Sequence, residues 1–439
     1  MSQRRKLASQ STVIFGTRIV GAGLVFVAQA AVARYWGPDM LGEMILVIAA
    51  VNLIAVVMPL GFETIGTYFA AEYRAKGEAV MLHGFMARAY IHIAVAFVFL
   101  LCFGPYIAQL FGEPGRVLRG FWVQSCLLAL GTALVFVNSA LLVGLKRPFA
   151  AFFADTLFRP CLMIVGFLVG LLATSPSDSL ANMIWVLSIG WVGVALIQFV
   201  HVLITVRRIP STAPARPDET GRWWRFALPW VLISLATDFY FDLDLLLLSG
   251  HLSREDLAIF GVCIRMLSLI AFGVSSVYAV TMPDMFESEA MSDRDGFHRK
   301  VGDANLVATG LSALLLVLVL ILGPFALQFF GPDFQAGVLP LAVLCLAIVV
   351  RSALGPAALV LSIHDRPYLS LPAIGLGLLV LALTNLVLVP AWGLLGASLA
   401  AFLSITVWSL ALWATAWRTA GVDVSILPRL RRIRQPIVA

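Results

Sequence analysis

Four arginines, Arg18, Arg159, Arg265 and Arg351, stand inside stretches that are otherwise apolar. A guanidinium is permanently charged and grips a phosphate or carboxylate with two parallel hydrogen bonds, so its chemistry is anion recognition. The acids are fewer. Asp155 precedes Arg159 by four residues, and Asp238, Asp242 and Asp244 lie in the run Thr237-Asp238-Phe239-Tyr240-Phe241-Asp242-Leu243-Asp244. On a continuous helix Asp238 and Asp242 share a face, while Asp244 is turned roughly 160° from Asp242. A carboxylate in such a place can take up and release a proton or a sodium ion, which makes Asp238 and Asp242 candidates for ion coupling. Other chemistries have no support. The five cysteines and six histidines show no metal-ligand spacing, so no metal site is expected, and no phosphate-cradling glycine loop or nucleophile group points to a cofactor or an enzyme.

The elements that must position these charges are membrane helices. The 439 residues are 61% hydrophobic and 12% charged, against about a quarter charged in soluble proteins. Apolar runs long enough to cross a bilayer recur near 12–33, 40–62, 83–103, 117–142, 150–173, 181–206, 224–249, 256–281, 302–323, 336–361, 367–389 and 392–416. The expected fold class is an all-α polytopic membrane protein of about twelve spans. Arg159 then lies about 14 Å from its nearer helix end, with Arg265 about as deep and Arg351 near the midplane, whereas Arg18 is shallower. Each central arginine opposes insertion by about 2.5–3.5 kcal/mol unless it faces a polar interior. A wet, positively charged lumen accounts for all of them; for Asp155 with Arg159, an intrahelical ion pair is the alternative.

The net charge of +6 raises the question of nucleic acid, and the distribution of charge answers it. Of the 30 lysines and arginines, only Arg34, Arg116, Arg119 and Arg254 fall in outer loops when the amino terminus is placed in the cytoplasm; apart from the four within apolar segments, the rest lie inside. This positive-inside bias predicts a multi-pass protein of a bacterial inner membrane with both termini cytoplasmic, and it removes the need for a nucleic-acid partner. Arg4-Arg5-Lys6 and Ala28-Gln29-Ala30 mimic a secretory signal, but Arg18 interrupts the apolar stretch, so retention is expected. Trp223-Trp224 between Arg222 and Arg225 reads as an interfacial aromatic belt, and Arg429, Arg431, Arg432 and Arg434 as a basic tail against anionic lipid.

The chain also repeats itself at half its length. Gly104-Pro105-Tyr106-Ile107-Ala108-Gln109-Leu110-Phe111-Gly112 returns as Gly323-Pro324-Phe325-Ala326-Leu327-Gln328-Phe329-Phe330-Gly331. At the same spacing Arg147-Pro148-Phe149 returns as Arg366-Pro367-Tyr368, and Gly42 as Gly261. The expected organisation is an N-terminal six-helix half over 1–206, a cytoplasmic linker over 207–222, a C-terminal half over 223–417 and a basic tail over 418–439. Six helices per half make the repeats parallel, with a central cavity between them. The charges disobey the repeat: Asp155 maps to Ile374, Arg159 to Leu378, Arg265 to Leu46 and Arg351 to Thr132. Charges that are costly and not duplicated point to substrate or ion handling. Pro59-Leu60-Gly61, Pro160 and Gly355-Pro356 are expected to bend their helices.

Several stretches resemble the polysaccharide or oligosaccharidyl-lipid flippase family of the multidrug/oligosaccharidyl-lipid/polysaccharide exporter superfamily. They are Ala33-Arg34-Tyr35-Trp36-Gly37-Pro38 with Gly42, Asp244 to Gly250 continuing through Leu257-Ala258-Ile259-Phe260-Gly261 to Arg265, Phe330-Gly331-Pro332-Asp333-Phe334, and Gly393-Leu394-Leu395-Gly396-Ala397. The resemblance covers essentially the whole chain, and its motifs mark the scaffold more than the cargo. It implies two six-helix bundles around a cavity that moves a polyprenyl-diphosphate-linked glycan to the outer leaflet. Arg18, Arg159, Arg265 and Arg351 would hold the diphosphate, and a proton or sodium gradient would drive the cycle. The partners it implies are the lipid-linked glycan, membrane lipid, a polysaccharide polymerase and glycosyltransferases. Peptidoglycan-precursor flippases usually carry two further helices, which makes that cargo less expected. The competing readings are a cation-coupled multidrug-type exporter, whose cargo would favour an acidic lumen, and a membrane glycan polymerase or glycosyltransferase, which would need larger outer loops.

Overall fold

The computed structural model describes residues 3–173, 175–209, 219–291, 294–364 and 366–429, and every regular element in them is helical. The chain divides into two compact units, Met1–Gly250 and His251–Ala439. In the first unit the elements are α1 (Gln3–Trp36), α2 (Pro38–Val57), α3 (Phe62–Lys76), α4 (Ala79–Ala108), α5 (Gly112–Gly120), α6 (Trp122–Gly144), α7 (Pro148–Phe153), α8 (Arg159–Gly170), α9 (Pro176–Val206), α10 (Thr220–Thr237) and α11 (Tyr240–Leu248). In the second they are α12 (Arg254–Ala290), α13 (Arg294–Gln328), α14 (Val338–Leu354), α15 (Ala357–Ile363) and α16 (Leu371–Ala420).

Among the described residues, ten helices are long and apolar enough to cross a membrane. The sequence predicts about twelve, and two local features account for the difference. Gly393, with φ 52° and ψ −128°, divides α16 into the two spans expected over 367–389 and 392–416. The span expected over 224–249 is broken at Asp238-Phe239 into α10 and α11, neither of which qualifies alone. These two helices pack on α2 and α3 and so belong to the first compact unit, which ends at Gly250; the sequence-drawn halves instead part at the polar linker, most of which, 210–218, lies outside the described residues, as do 430–439 of the tail.

Helix α6 is the centre of the first unit, packing against α2, α3, α4 and α9. Its Asn138 is fully buried and satisfied: Oδ1 accepts from the Tyr90 hydroxyl at 2.7 Å, and Nδ2 donates to the Ala195 carbonyl at 2.9 Å. One amide thus ties α4, α6 and α9 where lipid offers no hydrogen bonds. In the second unit α14 packs against α12, α13 and α16, and buried Asn305 plays the corresponding part. It accepts from Tyr278 at 3.0 Å and donates to the Val424 carbonyl at 2.9 Å.

The repeat read from the sequence is present in the backbone. Pro105 lies inside α4 and Pro324 inside α13. Arg147 (φ −120°, ψ 54°) and Arg366 (φ −124°, ψ 44°) cap their following helices in nearly the same conformation, each with proline at the first helical position. The breakers act where the sequence places them. Leu60 and Gly61 take positive φ between α2 and α3, and Gly355 (φ 87°) separates α14 from α15. A methyl on Gly61 would lie 2.1 Å from the Ala227 carbonyl oxygen, and one on Gly355 1.9 Å from that of Val424. Both glycines therefore permit a bend and a close approach at once.

Candidate functional site

Arg159 begins α8 just after a single π-helical turn, Ala154–Phe158. Pro160 has no amide to offer the carbonyl of Thr156, so the ladder slips by one residue there and the Arg159 amide bonds back to Ala154. Gly21 of α1 covers the freed carbonyl so closely that a methyl there would sit 1.8 Å from the Thr156 oxygen. The slip aims Arg159 into the unit's interior. Its Nη1 donates to Asp155 Oδ1 at 3.3 Å and its Nη2 to Asn52 Oδ1 at 3.3 Å. Asn52 passes the connection on: its Nδ2 lies 3.5 and 3.4 Å from the two carboxylate oxygens of Asp242. A polar chain therefore runs Asp155, Arg159, Asn52, Asp242 through α8, α2 and α11.

The intrahelical pair of Asp155 with Arg159 forms. The Asp155 side chain is 62% exposed against 23% for Arg159, so the pair contributes little by itself, and the long-range amide link orients the guanidinium. Arg159 also lies 5.7 Å from the ring of Trp191 on α9. The space beside it, lined by Ile48, Leu128, Met163 and Leu187, is about 10 Å³, enough for one water.

The second unit holds the roomier site. A cavity of about 430 Å³ opens between α12, α14 and the latter part of α16, lined by Ser268, Ser275, Tyr278, Arg351, Trp408 and Ser409 among others. This is the size range of small-ligand sites. Among the described residues, no acidic side chain lines it. Arg351 is exposed and lies 5.2 Å from the ring centre of Trp408, which supports the face of the guanidinium. The hydroxyls of Ser268 and Ser275 donate to Ile264 and Phe272 carbonyls, so each keeps lone pairs for accepting. Arg265 is three residues from Ser268 on α12, on the same face by helical spacing, and is exposed.

The remaining expectations fare unevenly. Arg18 is exposed on α1. Asp238 and Asp242 do not share one continuous face: Asp238 caps α10, Asp242 lies in the first turn of α11, and Phe239 between them leaves helical geometry. Asp238 is exposed, and the buried member of the acidic run is Asp244, at 0% exposure. Trp223 is no interfacial belt residue. It is 1% exposed, donates to the Tyr73 hydroxyl at 2.7 Å, and has Arg88 4.9 Å above its ring. Arg429 pairs with Asp303 at 2.6 Å. Sequence reasoning missed Asn52, Glu63, Trp191 and Trp408. Asn52 had a signal, as the single amide in the apolar run of α2, and Glu63 stands two residues after a helix breaker.

No protein-family model and no curated protein matches the sequence, but solved structures share its fold. An inward-facing multidrug resistance MATE family transporter of the MOP superfamily superposes with a TM-score of 0.76 at 14% identity, covering 91% of this chain and 95% of that one. The lipid II flippase MurJ in an inward closed conformation gives 0.72 at 12% identity, covering 92% and 87%. A MOP superfamily transporter from Pyrococcus furiosus, described as having a binding pocket of reverse polarity, gives 0.61 at 13% identity over 93% and 94%. At such identities likeness speaks for architecture, and together with the ten apolar helices it makes this chain a multi-pass membrane protein with the fold of MOP superfamily transporters.

Proposed function

We propose that the chain flips a polyprenyl-diphosphate-linked oligosaccharide from the cytoplasmic to the outer leaflet of a bacterial inner membrane by alternating access, for cell-surface or extracellular polysaccharide. The observation that carries this reading is the cavity at Arg351: among the described residues its lining is basic and hydroxyl-bearing, with no acid. An anionic head group with sugar hydroxyls suits such a lining, because the guanidinium supplies charge-assisted donors and the serines supply acceptors. The flippase among the fold relatives supports the cargo class. Arg265 and Arg18, both exposed, would join Arg351 in meeting the diphosphate. Arg159 would do so only in competition with Asp155 and Asn52. Asp238 and Asp242 would bind the coupling ion, and both chain termini would be cytoplasmic.

The test is deletion of the gene followed by quantification of lipid-linked oligosaccharide by leaflet. Accumulation on the cytoplasmic side, reversed by the wild-type gene and not by Arg351→Ala, is the expected result. Normal export in the deletion strain, with heightened sensitivity to cationic drugs, would replace this reading with a cation-coupled small-molecule exporter. That second reading is favoured by the multidrug transporter fold and opposed by the charge of the cavity, which repels cations.

A further inference from the structure

Glu63 belongs neither to the arginine chain nor to the Arg351 cavity. It stands in the first turn of α3, two residues after the Pro59-Leu60-Gly61 break, and is only 9% exposed. Its Oε1 accepts from the Thr64 hydroxyl at 3.2 Å, whereas its Oε2 is buried with no hydrogen-bond partner. Thr64 Oγ1 lies 3.3 Å from Ser234 Oγ on α10, so hydroxyls connect that helix to the carboxyl. The Ser234 carbonyl in turn accepts from the amides of both Asp238 and Phe239, the bonds that end α10. A buried acid thus sits where α2–α3 and α10–α11 both break.

An ionised carboxylate with one oxygen bare and buried is strongly disfavoured, whereas the neutral acid has fewer acceptor sites to satisfy. The surrounding charges do not relieve it. Asp238, on the other side of the hydroxyl link, acts on it as a like charge. From α4, His92 packs on Phe62 with ring centres 5.0 Å apart, and Arg88 is spent over Trp223. Helix α6 contributes no charged residue. Asp39 and Glu43 lie at the far end of α2, Glu72, Arg74 and Lys76 at the far end of α3, Arg222 and Arg225 at the far end of α10, and Asp242 and Asp244 beyond the break in α11.

We infer that Glu63 is a proton-binding site, held as the neutral acid in this conformation and opened to water when the two helix breaks move. One proton passes from bulk water to the carboxylate and the same proton later returns to water; no other bond changes. The inference rests on the transport reading for the use made of that proton, and not for its presence.

The test needs no cargo. Infrared difference spectra of the full-length protein in lipid nanodiscs, recorded across a pH titration, should show the carbonyl stretch of a protonated carboxylic acid at neutral pH. That band should vanish in Glu63→Gln and survive in Asp238→Asn and His92→Phe. Identical spectra from wild type and Glu63→Gln overturn the site, and loss of the band on exchanging potassium for sodium at constant pH overturns the proton in favour of sodium. If Glu63→Gln fails to fold, Glu63→Asp should shift the band, and an unshifted band overturns the inference. In proteoliposomes Glu63→Gln should lose at least tenfold of the acceleration by an imposed pH gradient while keeping gradient-free exchange. Wild-type protein that moves no lipid-linked glycan, yet shows the Glu63 band, would refute the cargo and leave the proton site standing.

Discussion

The guanidinium of Arg351 lies 5.2 Å from the ring centre of Trp408, and that of Arg159 lies 5.7 Å from Trp191. Trp191 stands on α9 and Trp408 on the latter part of α16, so each unit holds one arginine beside an indole. The arginine comes from α8 in one unit and from α14 in the other. At the spacing of the repeat Trp191 maps to Leu410 and Trp408 to Ile189, so each arginine–indole pair belongs to its own unit and is no product of the duplication.

Arg351→Ala should lower transport about tenfold or more, because a charge-assisted, bidentate contact to the cargo is lost, with little effect on the yield of folded protein from this exposed side chain. Arg351→Lys should recover only part of the activity, since an ammonium offers charge without the planar fork. Initial rates in proteoliposomes, normalised to monodisperse protein on size exclusion, check both. Full recovery by lysine would show that charge alone suffices.

Asn52→Leu should cut the link between Arg159 and Asp242, leaving part-buried charges without their shared amide. A loss of about 1–3 kcal/mol is expected, read as a lower unfolding midpoint in detergent. Asp155→Asn should cost much less, because its side chain is largely exposed. Equal effects from the two substitutions would remove Asn52 from its central place.

Gly61→Ala and Gly355→Ala should each reduce folded protein severely, since positive φ is combined with a clash against carbonyl oxygen at 2.1 and 1.9 Å. Gly193→Ala, inside α9 with nothing within 4 Å of the added methyl, should be neutral or stabilise by about 0.5–1 kcal/mol. Comparative thermal melts of the three variants provide the check.

The polar cluster at the start of α10 carries a pH dependence. Glu72 meets Arg222 at 2.9 Å and also pairs with Lys76. Burial pushes the Glu72 carboxyl up, but hydrogen bonds and charge from Arg222 and Lys76 outweigh it and hold the group below its ordinary value of 4.5. A depressed carboxyl contributes stability above its ordinary value and loses it as the pH falls through the lowered one. Wild type should therefore lose midpoint more steeply than Glu72→Gln below about pH 4.5, and the two curves should run parallel above it. Parallel curves at all pH values would exclude the clamp.

Topology is checked by single cysteines in a background lacking the native five. A cysteine at Pro332 should react with an impermeant thiol reagent in intact cells. One at Ala213 should react only after permeabilisation, and outside labelling there would overturn the charge-based orientation.

How far the sequence is legible depends on the range of the interaction. The spans follow from uninterrupted apolar runs, the bends from Pro59, Pro160 and Gly355-Pro356, and the Asp155–Arg159 pair from a separation of four. Asn52 with Arg159 spans 107 residues and Asn52 with Asp242 spans 190; no local period encodes either. The burial of Trp223 was hidden for a related reason. A tryptophan flanked by arginines reads as interfacial, until Tyr73, from another helix, supplies the acceptor that its indole N–H needs indoors. The break at Asp238-Phe239 carries no proline or glycine, so nothing in the residues around it announces an end to the helix.

The division of the seventh predicted span into α10 and α11 bears on biogenesis. A segment interrupted by Asp238 and diluted by Arg225, Asp242 and Asp244 is a poor substrate for one-step partitioning from the translocation channel into lipid. Its partners α2 and α3 are synthesised far earlier, so the segment has a prepared surface to enter against rather than bare lipid. Truncation after Gly250 should therefore give an integrated segment when α2 and α3 are intact and a slipped one when they are deleted, which glycosylation mapping reads directly. Assembly of the first unit is then a helix-recruitment step late in translation, timed by the arrival of α10 and α11.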